Sequence, residues 1–182
     1  RHPALAAVFE ALERGILDPA TGLPSRRMPE FDADTAIAGL FKVMMAYVAT
    51  GRPVPHATKA IDFILAHQKP TGEFTTRRNM CLNWDPMWVL WNLDKQLQAG
   101  HRHADILAAG RSLAAALMAH YRKPDGAFAM HREDCLTTHH SIRLCDQPHP
   151  IGDMLGTMMC LHCLSYVDAW TGAAGKALKT PA

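Results

Sequence analysis

The chain has 182 residues and a net charge of +2 at pH 7, from 19 Lys and Arg against 17 Asp and Glu. This balance excludes the strongly basic surface of nucleic-acid-binding domains, and 48% hydrophobic residues can form the core of one domain over 1–182. Charges such as Lys42 and Asp94 interrupt the apolar stretches, so no membrane span is expected. Because no signal-peptide pattern follows Arg1, we expect a cytoplasmic chain. A start at Arg1 rather than Met makes a fragment of a longer protein one interpretation.

A turn of one form occurs three times along the chain. It occupies residues 18–23, 69–74 and 123–128. The glycines of these turns lie about 50 residues apart, which indicates an internal repeat.

Two kinds of helix are predicted to alternate between the turns. The segments 34–51, 85–100 and 153–172 begin with Asp and end with Gly, which predicts inner helices with an Asp N-cap and a left-handed Gly stop. The segments around Ile61 and Leu113 are apolar on one side only, as in half-exposed outer helices. No strand pattern competes, so the predicted fold class is all-α, with about three αα-hairpins.

The repeat resembles a known family. The segment 64–74, ILAHQKPTGEF, carries a glutamine-aromatic turn, and the Asp-Thr-Ala at 34–36 opens an inner helix. In these features residues 5–172 resemble the prenyltransferase and squalene (terpenoid) cyclase repeat. The resemblance implies an α/α toroid, or part of one, whose inner helices line the centre.

In such an array the links from each outer helix to the next inner helix lie at one end of the molecule. We call this end the mouth; it comprises residues 32–34, 81–85 and 129–153. The loop 129–152 has 24 residues, is rich in His, Cys and acidic residues, and exceeds the usual connection length. We therefore expect any reactive site at the mouth.

The first candidate chemistry uses carboxylates. The segment 31–36 resembles the acidic Asp-x-Asp-Asp-Thr-Ala motif of class II terpenoid cyclases, in which a carboxylic acid in an apolar pocket donates a proton. Asp32 and Asp34 fill two positions of that motif, and one acid is replaced. The alternative is that the Asp residues of the inner helices only cap them, each contributing about 1 kcal/mol.

The second candidate chemistry is metal binding. Protein prenyltransferase β subunits resemble this chain where they bind zinc, but only Asp85 is kept, while Met87 and Gly156 stand where the Cys and His ligands would be. A zinc prenyltransferase is therefore not expected, and we assign no metal ligand and no cofactor. Cys135 and Cys145 leave a different metal site or a disulfide open.

The third candidate chemistry is nucleophilic or acid-base catalysis. Cys81 lies four residues before Asp85, and His139 or His140 could approach from the loop. A Cys activated by His suffices for covalent chemistry, and a His with a carboxylate suffices for proton abstraction.

Aromatic side chains supply a candidate binding surface. Trp84, Trp88 and Trp91 fall on one face of the second inner helix. Such a stripe can stack a sugar or shelter a cation, and core packing is the alternative.

These patterns favour an α/α-toroid enzyme with acid-base chemistry of the lyase, hydrolase or cyclase type on a small or saccharide-like substrate. The candidate catalytic residues are Asp85, Cys81, His139, His140, Asp34 and Asp32, and the candidate substrate-binding residues are Trp84, Trp88, Asn83 and Asp153. The alternative is a non-catalytic repeat module that binds a partner or ligand in its concave mouth. Three inner helices are few for a closed ring, which also leaves self-association or missing repeats open.

Overall fold

A computed structural model of the chain describes residues 3–24, 30–77, 79–139 and 141–172. The helices in these residues are α1 (Pro3–Gly15), α2 (Ala33–Thr50), α3 (Ala57–His67), α4 (Cys81–Gln96), α5 (His103–His120) and α6 (Met154–Thr171). A short antiparallel hairpin, β1 (Thr138–His139) and β2 (Ile142–Arg143), lies in the last link. The all-α class expected from the sequence is confirmed.

Helix α4 is the centre of the packing. It contacts the inner helices α2 and α6 and the outer helices α3 and α5, and α5 also packs on α6. The apolar faces meet in one core that includes Leu40, Ile64, Leu90 and Leu113, all fully buried. Among the described helices, only α4 is enclosed by neighbours on several sides. The other two predicted inner helices, α2 and α6, each leave an apolar face exposed, at Val48 (44%) and at Leu161 (48%).

The ends of α2 differ from the prediction at one position. Asp32, rather than Asp34, is the N-cap, and its Oδ1 accepts a hydrogen bond of 2.7 Å from the backbone N–H of Thr35. Gly51 ends the helix with φ 63°, the left-handed conformation expected there. By length and composition alone, α2 could cross a membrane, a test that core helices also pass.

Helix α4 is shifted toward the N-terminus relative to the prediction. It begins at Cys81, where Asn79 Oδ1 accepts a 2.9 Å hydrogen bond from the Cys81 N–H, so Asp85 is not an N-cap. Pro86 therefore lies inside the helix. The chain leaves the helix through positive φ at Gln98 and Ala99, so the expected stop at Gly100 is wrong. The N-cap residue of α4 is Met80, which makes no side-chain cap hydrogen bond, and the Asn79 side chain holds the turn that precedes the helix.

The second and third of the repeated turns share a hydrogen-bonding pattern, and the turn 18–23 closes with one residue more. Lys69 N–H donates to the carbonyl of Glu73 (2.7 Å), and Gly72 N–H donates to the carbonyl of Lys69 (2.9 Å). The turn 123–128 has the same two bonds, at 2.8 and 2.9 Å. In all three turns the glycine has positive φ. The repeat read from the sequence is therefore a structural repeat.

The glycines of two of these turns differ in how closely the rest of the chain packs against them. Gly72 and Gly126 both have positive φ, but a Cβ on Gly72 would lie 2.4 Å from the carbonyl oxygen of Ser112, whereas a Cβ on Gly126 meets nothing within 4 Å. Gly126→Ala is expected to cost about 1 kcal/mol of unfolding free energy, from backbone strain alone. Gly72→Ala adds a backbone clash and is expected to cost about 2–3 kcal/mol. Urea unfolding of both variants measures the difference, and equal losses would show that α5 does not press on this turn.

Candidate functional site

The links that form the mouth lie side by side, as expected. The backbone N–H of Met80 donates to the carbonyl of Met130 at 2.8 Å. Arg132 from the last link forms an ion pair with Glu73 from the preceding link. Gly156 allows α6 to approach this junction, because a Cβ there would lie 2.2 Å from the backbone of Ala129 and Met130.

Asp34 belongs to a polar cluster at the N-terminus of α2. Its Oδ1 accepts a 2.7 Å hydrogen bond from His67 Nε2, and its Oδ2 accepts one of 2.5 Å from the Thr75 hydroxyl. Arg77 lies 3.8 Å from Oδ2 and also pairs with Asp32. Asp34 is therefore neither a cap nor an unpartnered acid. It holds the link between α3 and α4 against α2 and α3.

Asp32 is exposed and caps the N-terminus of α2. The hydrogen bond from the Thr35 backbone, with a contribution from Arg77, lowers the pKa of its carboxyl. A carboxyl with a lowered pKa is ionised at neutral pH and is a poor proton donor. For Asp32 the capping alternative therefore describes the observed contacts.

Asp153 and Asn83 make hydrogen bonds within the protein. Asp153 caps α6, with a 2.7 Å bond from Gly156 N–H to Oδ1, and its Oδ2 also accepts from the N–H groups of Met130 and Leu136. Asn83 is fully buried, and its Oδ1 accepts a 2.8 Å bond from Phe74 N–H. Both side chains position the links through these hydrogen bonds.

Asp85 is the candidate acid whose surroundings suit proton transfer. The residue is only 4% exposed, and within the described part of the chain no hydrogen bond or ion pair reaches its carboxyl. Burial raises the pKa of Asp85 from 3.8 to about 7, and Lys42 on α2 opposes this rise. A carboxyl with a pKa near 7 can both donate and accept a proton at neutral pH.

Cys81 lies one turn before Asp85 on α4, in surroundings that do not activate a thiol. Its Sγ lies 3.7 Å from the Sδ of Met130 and 3.8 Å from the Sδ of Met159. Burial and the nearby Asp85 raise the pKa of the thiol. An activated nucleophile requires the opposite shift, so the structure favours acid-base chemistry over covalent chemistry at this position.

Aromatic side chains connect the three inner helices. The aromatic band consists of Phe41 on α2, Trp84, Trp88 and Trp91 on α4, and His162 and Tyr166 on α6. Phe41 lies 4.9 Å from Trp84 and 5.0 Å from Trp88, between ring centroids. The band continues from Trp84 to His162 at 6.0 Å, and Tyr166 stacks on Trp91 at 5.2 Å. The predicted Trp stripe is therefore part of a larger, partly exposed surface.

Trp84 has an unusual feature within the band. Its indole N–H is buried and makes no hydrogen bond of ordinary geometry among the described residues, although its approach to the Tyr166 hydroxyl opposes the rise that burial causes in the pKa of Tyr166. Buried N–H groups are nearly always paired in folded proteins, because an unpaired one costs about 1–3 kcal/mol. By contrast, the N–H of Trp170 donates to Asp94 at 2.9 Å.

Of the two loop histidines expected at the site, His139 lies in the described residues. His139 lies in β1, and it makes no hydrogen bond or ion pair with Asp85 or Cys81. His140 lies outside the described residues. Within the described residues, no group of three His, Cys, Asp or Glu side chains could hold a metal ion.

The structure adds residues that sequence reasoning did not select. Lys42 appeared in the sequence only as a charge interrupting an apolar helix, yet it acts on Asp85 and lies 4.4 Å from the Phe41 ring centroid. His162 lies among apolar neighbours on α6, and only the packing of α6 on α4 brings it to Trp84. No family model, curated protein or solved structure matches the chain.

Proposed function

We propose that the chain is an α/α-toroid type of enzyme that performs acid-base chemistry on a small or saccharide-like substrate, with Asp85 as the proton donor. The observation that carries this proposal is the buried, unpartnered carboxyl of Asp85, with its pKa near 7, one turn from Trp88 on the same side of α4. Repeated αα-hairpins with inner and outer helices support the toroid architecture.

The chemistry follows from the environment of the carboxyl. At neutral pH about half of the Asp85 side chains carry a proton, which can pass from Oδ to the leaving oxygen of the substrate. Water adds to the carbon that this oxygen leaves and gives its extra proton to solvent. The carboxylate that remains takes up a proton from solvent before the next cycle. The ammonium group of Lys42 stabilises this carboxylate and attracts an acidic group on a substrate.

The aromatic band supports a substrate with apolar ring faces and polar edges. Trp rings stack on the C–H faces of sugars, and the unpaired N–H of Trp84 can donate to a hydroxyl or carboxylate oxygen. Asp85 and Trp88 lie three residues apart on one side of α4, so one substrate can contact both.

The Trp84 contact gives a direct test with a matched control. Trp84→Phe keeps an aromatic ring but removes the N–H, and we expect saccharide affinity to fall about 5- to 10-fold. Trp170→Phe removes an N–H that is already paired with Asp94, so it should lower stability and leave affinity unchanged. Isothermal titration with a panel of neutral and uronate disaccharides measures both effects. Equal affinity in Trp84→Phe and the unmodified protein would remove Trp84 from the site, and no binding in the panel would exclude saccharides of this size.

A second function, a non-catalytic binding module, has one specific observation in its favour. Helix α6 exposes Met154 (83%), Met158 and Leu161, and a groove of about 590 Å³ runs between α5 and α6. Exposed apolar surface of this kind is typical of protein-binding faces. Light scattering after size-exclusion chromatography tests self-association through this face. A ligand that binds without turnover, and with an affinity insensitive to Asp85→Asn, would favour the module.

A further inference from the structure

We propose that Cys135 and Cys145 form a reversible disulfide that closes the β1–β2 hairpin. Both cysteines are free in the structure, and their Sγ atoms lie 3.8 Å apart. The two residues flank the hairpin, in which Thr138 pairs with Arg143 and His139 pairs with Ile142. This disulfide would be a modification site that is independent of the enzymatic function proposed above.

The backbone on both sides of the pair is held in place. The N–H of Cys135 donates to the carbonyl of His149 at 2.9 Å, and the N–H of Leu144 donates to the carbonyl of Thr137 at 2.8 Å. The sulfur atoms are already in van der Waals contact, and a disulfide bond of about 2.05 Å requires them to approach by less than 2 Å. Side-chain rotation within an ordered hairpin can supply this movement.

The neighbours of the pair favour a disulfide over a metal site. The other contacts of the Cys145 Sγ are the carbonyl oxygens of Gln147 at 3.2 Å and Leu136 at 3.7 Å. Zinc takes thiolate, imidazole or carboxylate ligands, commonly four of them, and no group of three such side chains occurs in the described residues.

Oxidised glutathione can serve as the oxidant that forms the Cys135–Cys145 disulfide. Cys145 is the more accessible thiol, whereas Cys135 is 6% exposed. The Cys145 thiolate attacks one sulfur of the oxidised glutathione and releases one reduced glutathione, leaving a mixed disulfide. The Cys135 thiolate then attacks the Cys145 sulfur and releases the second reduced glutathione. Two thiol protons pass to the two glutathione thiolates, and the protein is oxidised by two electrons.

The environment of Cys145 makes the reaction depend on pH. Burial and the hydrogen bond with Cys135 raise the pKa of the Cys145 thiol. Since the thiolate is the attacking species, oxidation should be several-fold faster at pH 8.5 than at pH 7.

The hairpin should become more rigid when the pair is oxidised. Closing a short loop restricts the states in which the hairpin is open. The N–H of Leu144 is bonded inside this loop, so its hydrogen exchange should slow about 10-fold on oxidation.

The test is oxidation of the whole 182-residue chain by a mixture of reduced and oxidised glutathione. Intact mass and non-reducing peptide mapping should show loss of two hydrogens and one Cys135–Cys145 link, reversed by dithiothreitol. Cys135→Ser should stop at a stable glutathione adduct on Cys145, whereas Cys81→Ser, the matched control, should still form the link. Stable glutathione adducts on the unmodified protein, or a link to another cysteine, would overturn the proposal. If the disulfide forms but the hydrogen exchange of the Leu144 N–H does not slow, the hairpin is not made more rigid by oxidation.

Discussion

Replacing Asp85 by Asn is expected to stabilise the protein by about 3 kcal/mol at pH 8 and to abolish most of its acid-base activity. Raising the pKa of this carboxyl from 3.8 in the unfolded chain to about 7 in the folded one corresponds to about 4 kcal/mol of destabilisation when the group is ionised. This figure is an upper bound, since the neutral amide that replaces the carboxyl is itself buried without a partner. The stabilisation and the loss of activity would come from one property, the desolvation of Asp85.

The pH dependence has a defined sign and range. Below about pH 4 Asp85 is mostly protonated in both the folded and unfolded states, so it contributes little to the pH dependence of the free energy of unfolding. Between about pH 4 and pH 7 the unfolded chain loses this proton while the folded chain keeps it, so the free energy of unfolding falls as pH rises. Above about pH 7 both states are ionised and the destabilisation is constant. Asp85→Asn should therefore match the unmodified protein at pH 4 and exceed it at pH 8, as measured by urea unfolding.

Two further variants separate desolvation from simple charge removal. Asp168→Asn removes one negative charge from an exposed position on α6 and should leave this pH dependence intact. Lys42→Met removes the positive charge that lowers the pKa of Asp85. In ¹³C NMR titrations of the carboxyl, this pKa should therefore increase beyond about 7. Once a substrate is known, turnover by Asp85→Asn should fall about 100-fold or more. If stability at pH 8 is the same in Asp85→Asn and Asp168→Asn, Asp85 is solvated and the proposed proton donor is wrong.

The architecture could be predicted from the sequence because its signals are local and repeated. Three turns of one form and the contrast between one-sided and all-round apolar segments indicated alternating outer and inner helices. The ends of α2 and α6 were close to the prediction, since Gly51 and Gly172 adopt the expected left-handed conformation. The start of α4 was missed because its N-cap residue, Met80, has no capping side chain, so no capping signal in the sequence marks this helix end.

The candidate site could be predicted only in part, because acidity depends on neighbours that are distant in sequence. Asp32, Asp34 and Asp85 are the same residue type in similar sequence positions, but they are respectively a cap, a hydrogen-bonded anchor and a desolvated acid. The difference arises from the side chains and backbone groups that α2, α3 and the links bring close to each carboxyl. Similarly, the role of Lys42 follows from the packing of α2 against α4, which no spacing in the sequence reveals.

Replacing Arg132 by Met is expected to destabilise the protein by about 3–5 kcal/mol at pH 7. Arg132 pairs with Glu73, whose side chain is only 3% exposed. Within the described part of the chain, the other side-chain partner of this carboxylate is the Tyr121 hydroxyl at 3.2 Å. Removing Arg132 leaves a buried carboxylate with one neutral donor, and uncompensated buried charges carry this cost. The surface pair Arg143–Asp146 is a matched control, because its side chains are 69% and 86% exposed and Arg143→Met should cost less than about 0.5 kcal/mol.

A double-mutant cycle at this pair tests whether the cost comes from the buried charge of Glu73. Adding Glu73→Gln to Arg132→Met neutralises the orphaned carboxylate, so the double variant should recover about half of the lost stability. Because Arg132 and Glu73 join the two links of the mouth, the single variant should also speed hydrogen exchange at Met80, whose N–H bridges the same links. If instead Arg132→Met and Arg143→Met cost the same, solvent screens the Arg132–Glu73 pair, and the links are held by their backbone hydrogen bonds and by the carboxylate of Asp153 at the start of α6.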